Sequence, residues 1–202
     1  MKYGQAQVVS LIIIILLILG AIAFVYPWAN SMIQKKKDTK NIDDVYNFFK
    51  SLDETIRTIA KNGGEESLNL GVPGQLYVYP ASVPPLNNSI IFTFGGLVSN
   101  VAEGGWIPLN TPNMNETATL GIDPPSVIFG MANETDNEIE IKYRLWYREL
   151  DDLSNNGYKI VLNTSDGNIK STTTGFMRIQ RLETFRITGG KTLTITEINI
   201  IL

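Results

Sequence analysis

Two patterns of hydrophobic residues follow one another in the first third of the chain. Residues 8–26, VVSLIIIILLILGAIAFVY, are apolar except for one serine and one glycine, and no charged side chain occurs between Lys2 and Lys35. As a helix these 19 residues rise roughly 28 Å, close to the ~30 Å hydrocarbon thickness of a bilayer. Because a backbone in lipid must satisfy its own hydrogen bonds, the pattern predicts a helix that is apolar on all sides.

The second pattern is one-sided at helical spacing. Apolar residues recur at alternating steps of three and four, at Ile42, Val45, Phe49, Leu52, Ile56 and Ile59. The acidic residues expected on the opposite, solvated face are Asp43, Asp44, Asp53 and Glu54. Lys61 followed by Asn62-Gly63-Gly64 is typical of a helix end. We therefore predict one helix from about residue 5 to about residue 61, roughly 85 Å long and kinked at Pro27.

The helical period disappears after Leu70, where short segments separated by glycine, proline and asparagine begin. These segments predict strands at residues 75–79, 89–94, 126–131, 138–147, 158–162, 176–187 and 193–200. Residues 100–125 predict a long surface loop, and Asn156-Gly157 predicts a tight turn. In the last strand the apolar phase changes, which indicates a bulge or a change of sheet face. The fold class is therefore α+β, with a long N-terminal helix and an antiparallel β-sandwich-like head over residues 70–202.

Composition narrows the function classes. The 202 residues include no cysteine and no histidine, so a disulfide framework, thiolate zinc sites and the commonest general base are all absent. The net charge of −3 gives no sign of a nucleic-acid binder. The charge is uneven, because residues 1–40 carry five lysines against one aspartate, whereas the rest carries 12 basic and 19 acidic residues. We expect no enzyme and no cofactor.

Three interpretations of the apolar run stay open at this point. It is a plain membrane anchor, or a secretory signal cleaved after Ala21-Ile22-Ala23, or the continuation of a very short prepilin-type leader. In the last case the leader is residues 1–4, and the mature chain begins at Gln5 and keeps the apolar helix. A buried core helix is disfavoured, since the run is apolar all round and too long for a small domain.

The order of these features resembles archaeal type IV pilin-like proteins with a class III signal peptide. Met1-Lys2-Tyr3-Gly4/Gln5 precedes the apolar run, and Pro27 and an amphipathic continuation follow it. The resemblance covers residues 1–61. In the rest of the chain it is limited to the general feature of a β-rich head. The fifth mature position, a glutamate in bacterial relatives, is Val9 here, which favours the archaeal form.

The resemblance implies a function and a set of partners. A membrane peptidase cuts between Gly4 and Gln5, the helix of residues 5–61 waits in membrane lipid, and assembly machinery then packs it against its copies. The filament core then contains Leu11, Ile12, Ile13, Ile14, Ile15, Leu16, Leu17, Ile18, Leu19 and Phe24. The expected product is a homopolymeric, extracellular filament for adhesion or motility, without nucleic acid.

Other functions fit the same sequence. One is a minor or accessory pilin, or a stator-type component of a surface motility machine. A second is a membrane-anchored surface binding domain that does not polymerise, and a third is a secreted hydrolase with paired carboxylates. The cluster Lys35, Lys36, Lys37 and Lys40 favours a cytoplasmic head by the positive-inside rule, in tension with an exported one.

The head offers candidate modification and binding residues. Four Asn-x-Ser/Thr sites fall in predicted loops or turns, at Asn87, Asn115, Asn133 and Asn163. The resemblance implies N-glycosylation there, and ordinary turn asparagines are the alternative. Trp106 is the best candidate for an exposed binding aromatic, and the aromatic residues expected in the strand core are Tyr77, Tyr79, Phe92, Phe94, Tyr143, Trp146 and Tyr147. Asp151-Asp152 and Asp166-Gly167-Asn168 lack the spacing of a calcium loop.

Overall fold

The computed structural model describes residues 2–101, 103–135 and 139–202, and the side chains from residue 9 onward within the helix. A single helix, α1, runs from Lys2 to Asn62 and includes Pro27 without interruption. It ends where the glycines predict, because Gly63 adopts a left-handed φ of 79° and its N–H donates to the carbonyl of Ile59 at 2.8 Å. The kink at Pro27 stays a prediction.

The described part of the head forms 12 strands. They are β1 (Glu65–Asn69), β2 (Gln75–Tyr79), β3 (Ser89–Gly96), β4 (Ile107–Pro108), β5 (Thr117–Thr119), β6 (Ser126–Glu134), β7 (Ile139–Tyr147), β8 (Glu149–Asp151), β9 (Asn156–Asn163), β10 (Lys170–Thr172), β11 (Phe176–Thr188) and β12 (Thr192–Ile201). All seven predicted strands are present, although Glu138 lies outside the described residues. Five short strands, β1, β4, β5, β8 and β10, were not predicted.

The strands build two six-stranded sheets, which confirms the α+β class. Sheet A has the order β1-β11-β12-β9-β8-β5, and sheet B has the order β10-β2-β3-β7-β6-β4. Sheet B is antiparallel throughout. Sheet A is mixed, because β12 pairs with β9 and β5 with β8 in parallel. The antiparallel prediction is wrong there. After β9 the chain crosses to sheet B as β10 before it returns as β11 and β12.

One hydrophobic core joins the helix to both sheets. The predicted stripe from Ile42 to Ile59 is confirmed, since none of its six residues is more than 3% exposed. The helix contacts β7 of sheet B and β1, β11 and β12 of sheet A. Its stripe packs with inward-facing residues such as Leu76 and Tyr143 of sheet B and Met177 and Ile198 of sheet A. The second half of α1 is therefore an integral part of the head.

A buried asparagine ties the two sheets together. Asn88 has a φ of 55°, and its side-chain amide donates to the carbonyls of Tyr147 and Ile160 at 2.8 Å each. Its side-chain oxygen accepts the N–H of Leu162 at 2.7 Å. These bonds join the end of β7 to the middle of β9. Because every polar atom of the Asn88 amide group is used, burial of this side chain is compensated.

The change of face predicted in the last strand is present in β12. Ile198 and Ile200 point into the core, whereas Leu193 and Ile195 lie on the opposite face of sheet A. The extra residue lies in the neighbouring strand β11, between the pairs Arg181–Ile198 and Thr184–Thr196. The bulge therefore belongs to β11, and β12 itself stays in regular register with β9.

The tight turn predicted at Asn156-Gly157 is displaced, because both residues already belong to β9. The turn lies just before them, where Asn155 takes the left-handed φ of 63°. The Asp152 carboxylate accepts the N–H groups of Ser154 and Asn156 at 2.7 and 2.9 Å. An aspartate side chain therefore builds this turn by bonding the backbone beyond it.

Candidate functional site

The first half of α1 carries a large apolar surface that the head does not cover. Its exposed side chains are Val9, Leu11, Ile12, Ile13, Ile14, Ile15, Leu16, Leu17, Ile18, Leu19, Ile22, Phe24, Val25, Tyr26, Trp28, Met32 and Ile33. Leu17 is 68% exposed and Phe24 is 87% exposed. Because the residues are nearly consecutive, they point in every direction around the helix over roughly 37 Å.

This surface cannot remain in water. Burying one such side chain contributes roughly 1.5–3 kcal/mol, and many of them lie side by side here. The helix from Val9 to Asn62 has the length and apolar composition needed to cross a membrane. By the same criterion it fits either a membrane anchor or a signal sequence. The backbone of Gly4 and Gln5 belongs to the helix, while the side chain of Gln5 is outside the described part, and cleavage between the two residues stays a prediction.

A mixed aromatic and basic zone separates the apolar half from the head. Tyr26 and Trp28 are exposed, and the three lysines at 35–37 follow within two or three turns, all exposed as well. Lys40 pairs with Asp44 at 3.8 Å on the helix surface, as expected from its spacing. Aromatic and basic side chains in this order are typical of the boundary between lipid and water.

Asp38 fixes the helix where it enters the head. The side chain is 3% exposed, and its carboxylate accepts the Leu97 N–H at 2.7 Å and the Gln34 amide at 2.8 Å. Leu97 follows strand β3 directly. The contact therefore bonds the helix to the end of a central strand of sheet B. The apolar half leaves the head from this bonded point.

The prediction that Asp53 lies on the solvated face of the helix is wrong. The residue is 7% exposed, and its carboxylate accepts a hydrogen bond from the Tyr147 hydroxyl at 2.9 Å. Arg57 lies one turn further along, with its guanidinium 3.6 Å from the carboxylate. Burial raises the pKa of Asp53, and the Tyr147 hydrogen bond and the Arg57 charge only partly oppose that rise. The pKa of Tyr147 is also raised, by burial and by the neighbouring carboxylate.

We expect the substitution Asp53→Asn to change how stability depends on pH. With its raised pKa, folded Asp53 holds a proton over a pH range where the unfolded chain has already lost it. The free energy of unfolding therefore falls as pH rises from about 4, the usual aspartate pKa, through the folded pKa. The asparagine side chain of the variant does not titrate and can still accept the Tyr147 hydrogen bond.

The measurement is urea denaturation of wild type and variant between about pH 4 and pH 8. The difference in unfolding free energy should move steadily in favour of Asp53→Asn as the pH rises. Asp44→Asn, which removes a carboxylate from an exposed position of the same helix, is the control. A curve for Asp53→Asn that runs parallel to wild type would contradict the burial argument.

The four glycosylation sequons lie in two kinds of place. Asn87 and Asn115 are exposed in loops, as predicted. Asn133 lies inside β6, paired with Glu140, and Asn163 is the last residue of β9. The expectation that these two lie in loops is wrong, because the strand pairing continues past the polar residues. Asn133 and Asn163 are half-buried, and the modification of all four asparagines stays a prediction.

The segment 100–125 is more ordered than the predicted surface loop. It contains β4 and β5, and part of it is hydrogen-bonded to the side chain of Arg148. The buried Arg148 guanidinium donates to the carbonyls of Asn113 at 2.7 Å and Pro124 at 3.1 Å. Asp123 lies 4.0 Å from the same guanidinium. No sequence pattern indicates this anchor, since its partners are main-chain carbonyls.

The aromatic residues expected in the strand core divide between two environments. Phe92, Phe94, Tyr143 and Tyr147 are buried, as predicted. Tyr77, Tyr79 and Trp146 are half-buried on the other face of sheet B, and for these three the core prediction is wrong. They share strands with buried neighbours, and alternate residues of a strand point to opposite faces. Trp106 is also half-buried, with its ring edge-on to Phe129 at 6.4 Å.

The acidic side chains that are close in sequence in the head form hydrogen bonds and ion pairs with other residues of the head. Asp151 accepts hydrogen bonds from Lys191, and Asp152 builds the turn before β9. Asp166 pairs with Lys170 at 2.8 Å, which lowers the pKa of Asp166 to about 2. Among the described residues no three acidic side chains come together in a way that would hold a metal ion.

Comparisons with protein-family models, with curated proteins and with solved structures find no match to this chain.

Proposed function

We propose that this protein is a structural subunit of a cell-surface filament of the archaeal type IV pilus-like class, used for adhesion or motility. One observation carries the proposal. A single continuous helix has one half inside the core of a β-rich head and the other half free, apolar on all sides and exposed. The head solubilises each subunit on the outside of the filament, and the free halves pack together along its axis.

The proposed mechanism starts in the membrane. Before assembly, lipid covers the apolar half, and after extraction neighbouring copies replace the acyl chains. Since lipid tails are as apolar as leucine, the exchange has no hydrophobic driving force of its own. A helix pulled into water alone would expose all its apolar side chains, so extraction must be driven locally by membrane machinery. Prepilin peptidase and the assembly machinery are the partners this mechanism requires.

The exposed lysines at 35–37 have a place in this mechanism. In the stored state they lie next to the apolar segment, within reach of anionic lipid headgroups on the outer side. The same lysines favour a second candidate, a membrane-anchored domain that never polymerises. In that case the anchor keeps residue 1 and the positive-inside tendency places the head in the cytoplasm.

The mature N-terminus separates these candidates. We expect intact mass and N-terminal peptide sequencing of protein from cell envelopes to give a chain that begins at Gln5. Prepilin-type processing removes only a short leader and retains the apolar helix. A chain that begins at Met1 would favour the membrane-anchored domain that never polymerises. A chain that begins at Phe24 would mean a secreted soluble protein. Either of these results would end the filament proposal.

A further inference from the structure

The outer face of sheet B, away from the helix, carries an open groove of about 480 Å³. We call it the aromatic groove, and the side chains that define it are Gln75, Tyr77, Tyr79, Trp106, Glu140 and Lys142. Volumes of this size are typical of small-ligand sites. The groove lies on the head rather than on the helix, so it is separate from the surface that drives assembly.

The aromatic walls are held in place by the fold. Tyr77 and Tyr79 point the same way from β2, with ring centroids 6.3 Å apart. Trp106 is held on the opposite side by its edge contact with Phe129. Arg144 in turn lies over the Phe129 ring, 5.9 Å from its centroid. Three rings are therefore positioned at the surface before any ligand arrives, which lowers the entropy cost of binding.

The polar part of the groove is nearly neutral. The Lys142 ammonium lies 2.8 Å from the Glu140 carboxylate, so the two charges compensate each other. Gln75 adds an amide that can both donate and accept hydrogen bonds. A polyanion would require an excess of positive charge, and an apolar ligand would desolvate these polar groups without replacing their hydrogen bonds. A polyhydroxyl ligand avoids both costs.

We propose that the aromatic groove binds a saccharide chain. A sugar ring has an apolar C–H face and hydroxyl groups at its edge. The faces of Tyr77, Tyr79 and Trp106 cover the C–H face of the sugar. Its hydroxyl groups form hydrogen bonds with Gln75, Glu140 and Lys142. The filament proposal does not depend on this site, since assembly uses the other end of the molecule.

The sugar can come from this protein or from outside. The sequon residue Asn133 lies on β6 directly opposite Glu140, on the same face as the groove residue Met131. A glycan on Asn133 would therefore begin at the rim of the groove. A glycan of another surface would reach the groove from solvent. Both sources share one chemistry, and an experiment with and without N-glycosylation distinguishes them.

The test uses the full chain in detergent, produced in one host that N-glycosylates and in one that does not. The probes are tetrasaccharides of glucose, mannose and N-acetylglucosamine, and the readout is tryptophan fluorescence. We expect at least one probe to bind the unglycosylated chain with a Kd of about 1 mM or tighter. Tyr77→Ala and Tyr79→Ala should each weaken that binding about tenfold, because each removes one stacking surface.

Tyr158→Ala is the matched control, because Tyr158 is an exposed tyrosine of sheet A and should bind the probe as wild type does. Glu140→Gln leaves no cavity, so it tests the groove even where a tyrosine variant unfolds, and it too should weaken binding. No binding of any probe to the unglycosylated chain would overturn the proposal. Binding that survives all three groove substitutions, or binding of an apolar peptide in place of sugars, would also overturn it.

Glycosylation then identifies the source of the sugar. If the Asn133 glycan fills the groove, glycosylated wild type will not bind the probe and glycosylated Asn133→Gln will bind it. If the ligand comes from outside, both glycosylated chains will bind it. Each of these two results supports a saccharide site and assigns its occupant.

Discussion

Leu16→Asp is expected to abolish filaments and to reduce the amount of protein held in the membrane. Leu16 lies near the middle of the apolar run and is exposed, so in any assembly its side chain faces lipid or another copy. An aspartate at the centre of a membrane helix costs about 3 kcal/mol for insertion, a factor of about a hundred. In the proposed filament core the carboxylate would lie among neighbouring apolar helices without a partner.

The measurement is the amount of protein in membranes and in sheared surface fractions, with electron microscopy of the latter. Leu153→Asp makes the same change at a fully exposed position in the turn before β9 and should leave both amounts unchanged. Normal filaments from Leu16→Asp would show that the helix is not packed in the filament core. Normal membrane content without filaments would instead assign the defect to helix–helix packing alone.

The helix shows how far the sequence alone determines this fold. Steps of three and four predict the stripe from Ile42 to Ile59, and the whole stripe is buried, because periodicity records which face meets a core. Clean alternation likewise predicts β7, and the glycines at 63 and 64 predict the end of the helix. These features are local, so a single segment carries enough information to define them.

What the sequence did not predict depends on distant partners. The sequence places Asp53 on the solvated face of the helix, yet the hydroxyl that donates to its carboxylate belongs to Tyr147, 94 positions away. The burial of Asp38 has no local signal either, because its carboxylate accepts the N–H of Leu97, 59 positions away. The parallel pairing of β12 with β9 depends on the path of the chain through the other sheet. The short strand β5 has too few residues to show a period.

The aromatic groove was not predicted, for a related reason. Alternation along β2 shows that Tyr77 and Tyr79 share one face, but it does not show which face meets the core. Tyrosine is enriched in strands and carries a large apolar ring, so the sequence favoured burial for both. Leu76 and Val78 lie on the inner face of sheet B, so Tyr77 and Tyr79 lie on its outer face. Only the assembled sheet brings Trp106 to the same groove.

Two phenylalanines of the same helix should respond in opposite ways to truncation. Phe49 is fully buried and lies 5.9 Å from the ring of Tyr143, whereas Phe24 is 87% exposed in the free half. Phe49→Ala should lower the free energy of unfolding of the head by about 3–5 kcal/mol, since it removes a large core side chain and leaves a cavity. Phe24→Ala should leave that free energy unchanged within about 0.5 kcal/mol.

Guanidinium denaturation of the full chain in detergent, followed by near-ultraviolet circular dichroism of the head, measures both effects. Wild type and Phe24→Ala should share one midpoint, and Phe49→Ala should unfold at a clearly lower denaturant concentration with a similar slope. Equal, small effects would mean that the second half of the helix is not part of the head core. An equally large effect of Phe24→Ala would mean that the free half packs on the head, which would remove the surface that the proposed filament requires.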